Sequence, residues 1–370
     1  MKADIDSQID SVICSTKFIS GVQVTDLENQ LKEYVGVKHC ITCANGTDAI
    51  TLALMTWNIG KGDAVFVPDF TFFSSGECPA YEGATPIFVD IDDTFNMNPD
   101  RLEEVIKKVI DEGKYMPKVV VAVDLFGQPA DYDRIRPICD KYGLYLLEDG
   151  AQGFGGSIRG KMACGFGDIA TTSFFPAKPL GCYGDGGAIF TDNDEWATYL
   201  RSVCVHGKDT SNLDDPNAKY NNIRLGMNSR LDTLQAAILL PKLKAFKEFE
   251  LNDINQVAKW YNDEFDDTDI VTPIVKEGFV SSWAQYTIRL PKNVDRADLQ
   301  AKLKTDGIPT MVYYMKPMHC QGAFAGTDSE KATCPVTEEY CKRVLSLPMH
   351  PYMTMEEVKL VSGKIKEYII

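Results

Sequence analysis

Three segments of this 370-residue chain hold side chains whose types and spacing could do chemistry. Cys43-Ala44-Asn45-Gly46-Thr47-Asp48-Ala49 is a glycine-containing turn followed by Ile50, Leu54 and Trp57 at helical spacing. Free amides in the first turn of a helix attract anions, and Thr47 adds a hydroxyl. The turn could hold a phosphate or be an ordinary capped helix start. Leu144-Tyr145-Leu146-Leu147-Glu148-Asp149 runs as an apolar strand into two acids and then Gly150-Ala151-Gln152-Gly153. In open α/β sheets, ligands bind beyond the carboxyl ends of strands, where Asp149 falls. Its carboxylate could serve a cofactor, cap a helix or ligate a metal. The third segment sets Lys178 between Phe174, Phe175 and Pro176 on one side and Pro179 and Leu180 on the other, with Gly184-Asp185-Gly186-Gly187 close behind. Most lysines are solvated surface charges. An amine among apolar groups has a depressed pKa and can attack an aldehyde.

Together the segments offer an anion cradle, an acid 101 residues beyond Asp48, and an amine 29 residues beyond the acid. Pyridoxal phosphate needs all three. Its phosphate takes amides and hydroxyls, its pyridine nitrogen needs a carboxylate to stay protonated, and its aldehyde needs an amine. The conjunction is more specific than any one part.

The elements that must position these groups alternate along the chain. Residues 64–67, 86–89, 119–123 and 144–147 read as buried strands. Between them, Asn98-Pro99 opens a helix with Leu102, Val105, Ile106 and Val109 on one face, and Tyr132–Tyr142 reads as a helix bent near Pro137. A capping box, Thr25 with Glu28, starts a helix that Gly36 stops, just ahead of the first turn. Such alternation over about two hundred residues implies an α/β fold with a mostly parallel sheet covered on both faces. Residues 231–265 form a long helical stretch interrupted at Pro241. Strands at 286–290 and 310–314, a helix over 297–305 and a capped helix from Thr354 then suggest a small α/β domain packed on the large one, a division into 1–240 and 241–370. The polar stretch 208–222 reads as a loop.

Composition excludes several functions. The formal charge of −15 and pI near 4.8 argue against a general nucleic-acid binder, which needs a basic surface. The apolar fraction of 44% with 25% charged residues is that of a core-former and excludes whole-chain disorder. No apolar run approaches the roughly twenty residues of a membrane span, and the start MKADIDSQID lacks the shape of a signal peptide. A cytoplasmic protein with no membrane partner is expected. Eleven scattered cysteines then read as reduced thiols. Cys40 and Cys43 have Cys-x-x-Cys spacing without a second pair, so they read as buried small residues and no metal is expected. Gly184 to Gly187 precede a strand instead of opening a helix, which is not a dinucleotide fingerprint.

The longest segments are CANGTDA from Cys43, EDGAQGFGG from Glu148, TSFFPAKPLGCYGDGGAIFT from Thr172, NSRLDTLQAAILLPKL from Asn228 and SLPMHPY from Ser346. On these, nearly the whole chain resembles the nucleotide-sugar aminotransferases of the DegT type, pyridoxal-phosphate enzymes of fold type I. Within that group it looks most like the UDP-2-acetamido-2-deoxy-3-oxo-D-glucuronate aminotransferases, which move the amino group of L-glutamate to C3 of a keto sugar in surface-polysaccharide precursor synthesis. The resemblance implies that Lys178 is the Schiff-base lysine and Asp149 the partner of the pyridine nitrogen. It implies that Gln152 reaches the cofactor's phenolic oxygen, that Gly46, Thr47, Asp48 and Ser173 hold the phosphate, and that Phe72 stacks on the ring. It further implies pyridoxamine phosphate as the alternate cofactor form and a homodimer with shared active sites. There Asn228 would contact the neighbouring subunit's cofactor phosphate and Arg230 the sugar carboxylate.

Lys178 separates this chain from related sugar dehydrases, which carry histidine there. One departure concerns Tyr313, beside Tyr314, where the most similar enzymes have histidine; it leaves room for an uncharged 3-keto hexose on UDP or dTDP. His350 could face the substrate or be packed structurally. A non-catalytic nucleotide-sugar sensor of the same fold is the reading from a different class, and a lyase or desulfurase of the fold is a third.

Overall fold

The computed structural model describes residues 1–210 and 221–369. The expected loop at 208–222 therefore lies mainly outside the described residues. Strands β1 (His39–Cys43), β2 (Asp63–Pro68), β3 (Thr85–Val89), β4 (Met116–Val123), β5 (Tyr145–Asp149), β6 (Ser157–Ile158), β7 (Lys161–Met162), β8 (Ile169–Ser173) and β9 (Gly187–Thr191) come before residue 192. Seven of them form one sheet in the order β1-β9-β8-β5-β4-β2-β3. The pairs β2–β3, β2–β4, β4–β5 and β5–β8 are parallel, as expected. The pairs β8–β9 and β1–β9 are antiparallel. The reversal has a local cause, because the lysine-bearing segment 174–186 returns directly from β8 to its neighbour without a crossover helix.

Strand alternation explains the apolar runs. Val119, Val121 and Val123 of β4 face one helix-covered core, with Val65, Val67 and Leu147. Val120 and Ala122 face the other, with Phe66 and Leu146. Both faces are covered, so each run is continuously apolar. The same alternation sends Asp149 to the face of Leu147 and Glu148 to the opposite one.

Several expected boundaries move. The helix expected from Thr25 runs over Val22–Val35 with Gly21 at its cap and Gly36 in the left-handed conformation at its end. Glu28 is drawn away from a capping box because its Oε1 accepts both the amide and the hydroxyl of Thr42, at 2.8 and 2.9 Å. Pro241 does not interrupt its helix, Thr233–Ala245. The irregularity is a π segment, Phe246–Glu250, before the helix Leu251–Phe265. The wider turn re-phases the helix, so that Phe246 packs against Phe154, 5.9 Å between centroids, while Tyr261 and Phe265 turn into a separate core.

That second core surrounds β11 (Tyr286–Arg289) and β12 (Val344–Leu347), an antiparallel pair; β10 (Phe279–Val280) instead joins β6 and β7. The helices Arg296–Thr305 and Met355–Ile369 cover it with Leu299, Leu303, Val358 and Ile365. Thr354 and Glu357 make the expected capping box. The strand expected at 310–314 does not form. Only Met311 bridges Ser346. Tyr314 leaves the edge and packs its ring on Phe70, 5.7 Å away in an edge-to-face arrangement, so tertiary packing overrides the local β preference.

Candidate active site

The three chemistry-bearing segments meet at one edge of the large sheet. Gly187 of β9 is in register with Cys43 of β1 on one side and Ser173 of β8 on the other. Asn45 caps the helix Gly46–Thr56, and its Oδ1 accepts the Asp48 amide at 2.8 Å. Among the described residues this leaves the amides of Gly46 and Thr47 as the first turn's free donors. A Cβ on Gly46 would lie 2.9 Å from the Ser173 Cβ, so only glycine lets the turn close on that serine. Ser173 Oγ accepts the Phe175 amide at 3.2 Å, which leaves its own hydrogen to donate. Two amides and a hydroxyl make an anion cradle. The Asp48 amide is spent on the cap and is not one of the cradle's donors.

Asp149 lies in the sheet beside this cradle, paired across to Thr171, and is buried. Ser75 Oγ donates to its Oδ2 at 2.7 Å and the Ala151 amide to its Oδ1 at 3.2 Å. Burial pushes the carboxyl's pKa up, while Ser75, Ala151 and the nearby Lys178 charge oppose the shift. Burial pushes Lys178 down, and Asp149 opposes it in turn. The acid and the amine therefore feel one another's charge inside the site. Phe72 precedes the helix Ser74–Tyr81 that carries Ser75, and its ring is 54% exposed, a free face for a planar group. Gln152 Oε1 accepts the Phe126 amide at 2.9 Å, and its Nε2 donates to Tyr314 Oη at 3.2 Å, keeping a second hydrogen.

Lys178, Tyr313 and His350 line one cleft of about 480 Å³ between the large sheet and the second core. His350 is exposed there and its Nδ1 accepts the Tyr352 amide at 3.2 Å, which removes the packed alternative. Tyr314 is half-buried, its ring 5.8 Å from that of Tyr313, and burial of its phenol holds the hydroxyl well above the ordinary tyrosine range. Asn228 and Arg230 do not line this cleft. They are exposed and bonded to each other, Arg230 Nη2 to Asn228 Oδ1 at 2.7 Å, flanking a buried Ser229 that accepts the Ala44 amide at 3.0 Å.

Sequence reasoning missed three partnerships. Ser75 holds Asp149, and the run Thr71-Phe72-Phe73-Ser74-Ser75-Gly76 gave a polar-rich turn as its only signal. Glu148 accepts the amides of Cys164, Phe166 and Gly167, so it anchors a loop on the face away from Asp149. Burial, then the Glu148 charge, pushes the Asp124 carboxyl upward, while the Ala130 amide and the Tyr132 hydroxyl that it accepts oppose the shift. Finally, Asp69, His319 and Cys334 converge with candidate ligand atoms within 4.8 Å. Asp69 Oδ2 lies 2.7 Å from His319 Nδ1, and Asp69 Oδ1 accepts the His319 amide at 2.8 Å. Two ligands on one tetrahedral zinc sit about 3.3 Å apart, so 2.7 Å is a hydrogen bond. The group is a tether that pins the segment after Tyr314 to the end of β2.

The profile of the DegT/DnrJ/EryC1/StrS aminotransferase family matches residues 1–366. The chain belongs to that family. As a member it is a transaminase, and the resemblance read from its segments holds along its length. It is 44% identical over 366 residues to a UDP-2-acetamido-2-deoxy-3-oxo-D-glucuronate aminotransferase from Pseudomonas aeruginosa, covering 99% of this chain and 96% of that one. It is 40% identical to a pleiotropic regulatory protein from Geobacillus stearothermophilus, covering 100% and 95%. Its fold matches the crystal structure of a DegT DnrJ EryC1 StrS aminotransferase from Brucella abortus, with TM-score 0.94, 44% identity and coverage of 99% and 95%. Among the described residues no helix is long and apolar enough to cross a membrane.

Proposed function

We propose that this family member uses pyridoxal 5'-phosphate to move the amino group of L-glutamate to the C3 ketone of a UDP-linked 3-keto sugar. UDP-2-acetamido-2-deoxy-3-oxo-D-glucuronate, the substrate named for the Pseudomonas relative, is the sugar it fits best. The product would be a cytoplasmic precursor of a surface polysaccharide such as the O-antigen of lipopolysaccharide. The observation that carries the reading is the buried Asp149, held by Ser75 and in electrostatic contact with Lys178, beside a cradle that Gly46 and Ser173 close.

The chemistry of these residues suits the cofactor. The amides of Gly46 and Thr47 and the Ser173 hydroxyl would hold its phosphate, Asp149 the proton on its ring nitrogen, and Phe72 one ring face. Gln152 would offer its remaining N–H to the phenolic oxygen. When bound, the group supplies an aldehyde and a ring that accepts electrons. Lys178 Nζ, whose charged form burial disfavours, would take the proton from the amino donor's Cα and return it. Lys178 would serve both half-reactions at this one site, with the amino group passing by way of the cofactor's pyridoxamine 5'-phosphate form, so ping-pong kinetics are expected.

In this reading the chain divides near residue 240, with Lys178 on the large unit, Tyr313 and His350 on the small one, and the cleft at their junction. Asn228 and Arg230, exposed and away from their own cleft, suit a homodimer in which each serves the partner's site. Arg230 would grip the sugar carboxylate through its planar fork. Arg230→Ala should lower kcat/KM for the carboxylated sugar about 10- to 100-fold and leave its 6-hydroxymethyl counterpart nearly unchanged. The test is a panel of 3-keto UDP and dTDP sugars offered to the pyridoxamine form. Equal wild-type rates with and without the carboxylate would remove the clamp and favour the uncharged hexose that Tyr313 accommodates.

Ser75→Ala should weaken cofactor binding about tenfold, because a buried carboxylate loses a charge-assisted hydrogen bond. Fluorescence titration of the apoenzyme measures it, and unchanged affinity would place Ser75 outside the site. A second reading, a nucleotide-sugar sensor, draws on the regulatory name of the Geobacillus relative. Conversion of L-glutamate to 2-oxoglutarate in the presence of a keto sugar would dismiss it.

A further inference from the structure

One residue that lines the cleft carries a buried polar atom that no described residue satisfies. Gln285 lines the cleft together with Lys178, Trp283, Thr310, Tyr313 and His350. Its Oε1 is buried and has no hydrogen-bond partner among the described residues. The backbone beneath it is fixed, since the Gln285 amide reaches Phe126 O at 3.4 Å and the Ser282 amide reaches Gly127 O at 2.9 Å. Phe126 also donates its amide to Gln152 at 2.9 Å, so the two glutamines are mounted on the same turn. A buried acceptor left unpaired is costly, and proteins keep few of them without a use.

A ligand seated in the cleft could supply the donor to this acceptor, and the chemistry of the two substrates selects which. L-Glutamate brings an amine and two carboxylates. The amine is consumed at the reacting centre, and carboxylates only accept. The keto sugar instead carries ring hydroxyls and, where present, an acetamido N–H, all of which donate. Among the described residues, the cleft lining has no carboxylate and no guanidinium, and Lys178, the amine of the reacting centre, is the lysine in it.

We propose that Gln285 is a specificity-determining residue for the sugar half-reaction, its unpaired Oε1 accepting a hydrogen bond from a neutral donor, a hydroxyl or acetamido N–H, of the keto sugar. The inference rests on the sugar-aminotransferase reading and deepens it. A site built around such a bond discriminates strongly against a substrate that leaves the buried group unpaired.

The test compares wild type with Gln285→Met, of similar volume and without the amide, and with Gln285→Glu, which keeps the acceptor. Each half-reaction is followed separately by the cofactor's visible absorbance. The sugars are UDP-linked 3-keto hexoses with and without the C4 hydroxyl, and with and without the C2 acetamido group. Gln285→Met should lose about 10- to 100-fold in kcat/KM on the fully substituted sugar, much less on the analogue lacking the group that is read, and under about twofold in the glutamate half-reaction. Gln285→Glu should recover part of the loss. A uniform loss on every sugar, an equal loss with glutamate, or no loss would overturn the proposal. A wild-type enzyme idle on every sugar would sink the parent reading along with it, whereas an active wild type matched by Gln285→Met sinks this inference alone.

Discussion

Lys178→Ala should reduce transamination by at least about 10³-fold, because it removes both the amine proposed to anchor the cofactor and the base proposed to move the proton. The folded protein should persist. Lys178 sits on the segment between β8 and β9, whose pairing runs from Ala170 with Phe190 to Ser173 with Gly187 and involves no lysine side chain. Burial lowers the amine's pKa, which means that the charged form is disfavoured in the folded protein. Its removal should leave the melting temperature unchanged or slightly higher, the usual relation between a reactive residue and stability. The variant should still bind the cofactor's phosphate at the Gly46 cradle and lack the visible band of the lysine-bound form. Retention of that band, or activity within tenfold of wild type, would show that another amine does the work.

Asp149→Asn should cost on the order of 10³-fold in the glutamate half-reaction, as expected when a preorganised charge is lost from a dry site. The amide nearly matches the carboxylate in shape and can keep the bond from Ser75, 2.7 Å in the native protein. What it cannot do is carry the negative charge that keeps the ring nitrogen protonated. Cofactor affinity should therefore fall far less than the rate, since the phosphate cradle at Gly46, Thr47 and Ser173 is untouched. Single-turnover absorbance with L-glutamate separates the two effects. A rate drop below tenfold would mean that Asp149 positions the ring without charging it.

The parts legible from sequence were those that local chemistry dictates. The apolar runs at 119–123 and 144–147 are strands because both sheet faces are covered, and the glycine turn at Gly46 opens a helix because Asn45 caps it. The anion cradle at Gly46 to Asp48, the acid Asp149 and the amine Lys178 together signalled a shared cofactor, and the neighbouring strands β1, β9, β8 and β5 hold the segments that carry them. What stayed hidden depends on contacts between distant residues. Glu28 leaves a capping box for Thr42, Tyr314 leaves a strand for Phe70, and the π segment at Phe246–Glu250 answers to a core that no local pattern announces. Ser75 and Gln285 were invisible for the same reason, since one is defined by the acid it touches and the other by the partner it lacks.

The antiparallel return from β8 to β9 bears on how such a protein can change over generations. The reactive residue is mounted on a connection between two neighbouring strands, and the frame closes beneath it by backbone pairing alone. Mutation at position 178 can thus erase or convert the chemistry while inheritance preserves the fold, the cleft and the ligands it recognises. A lineage that loses the lysine is left with an intact receptor for the old substrate. Selection can then keep it for signalling, so a scaffold of this kind can supply both enzymes and regulators from one ancestor.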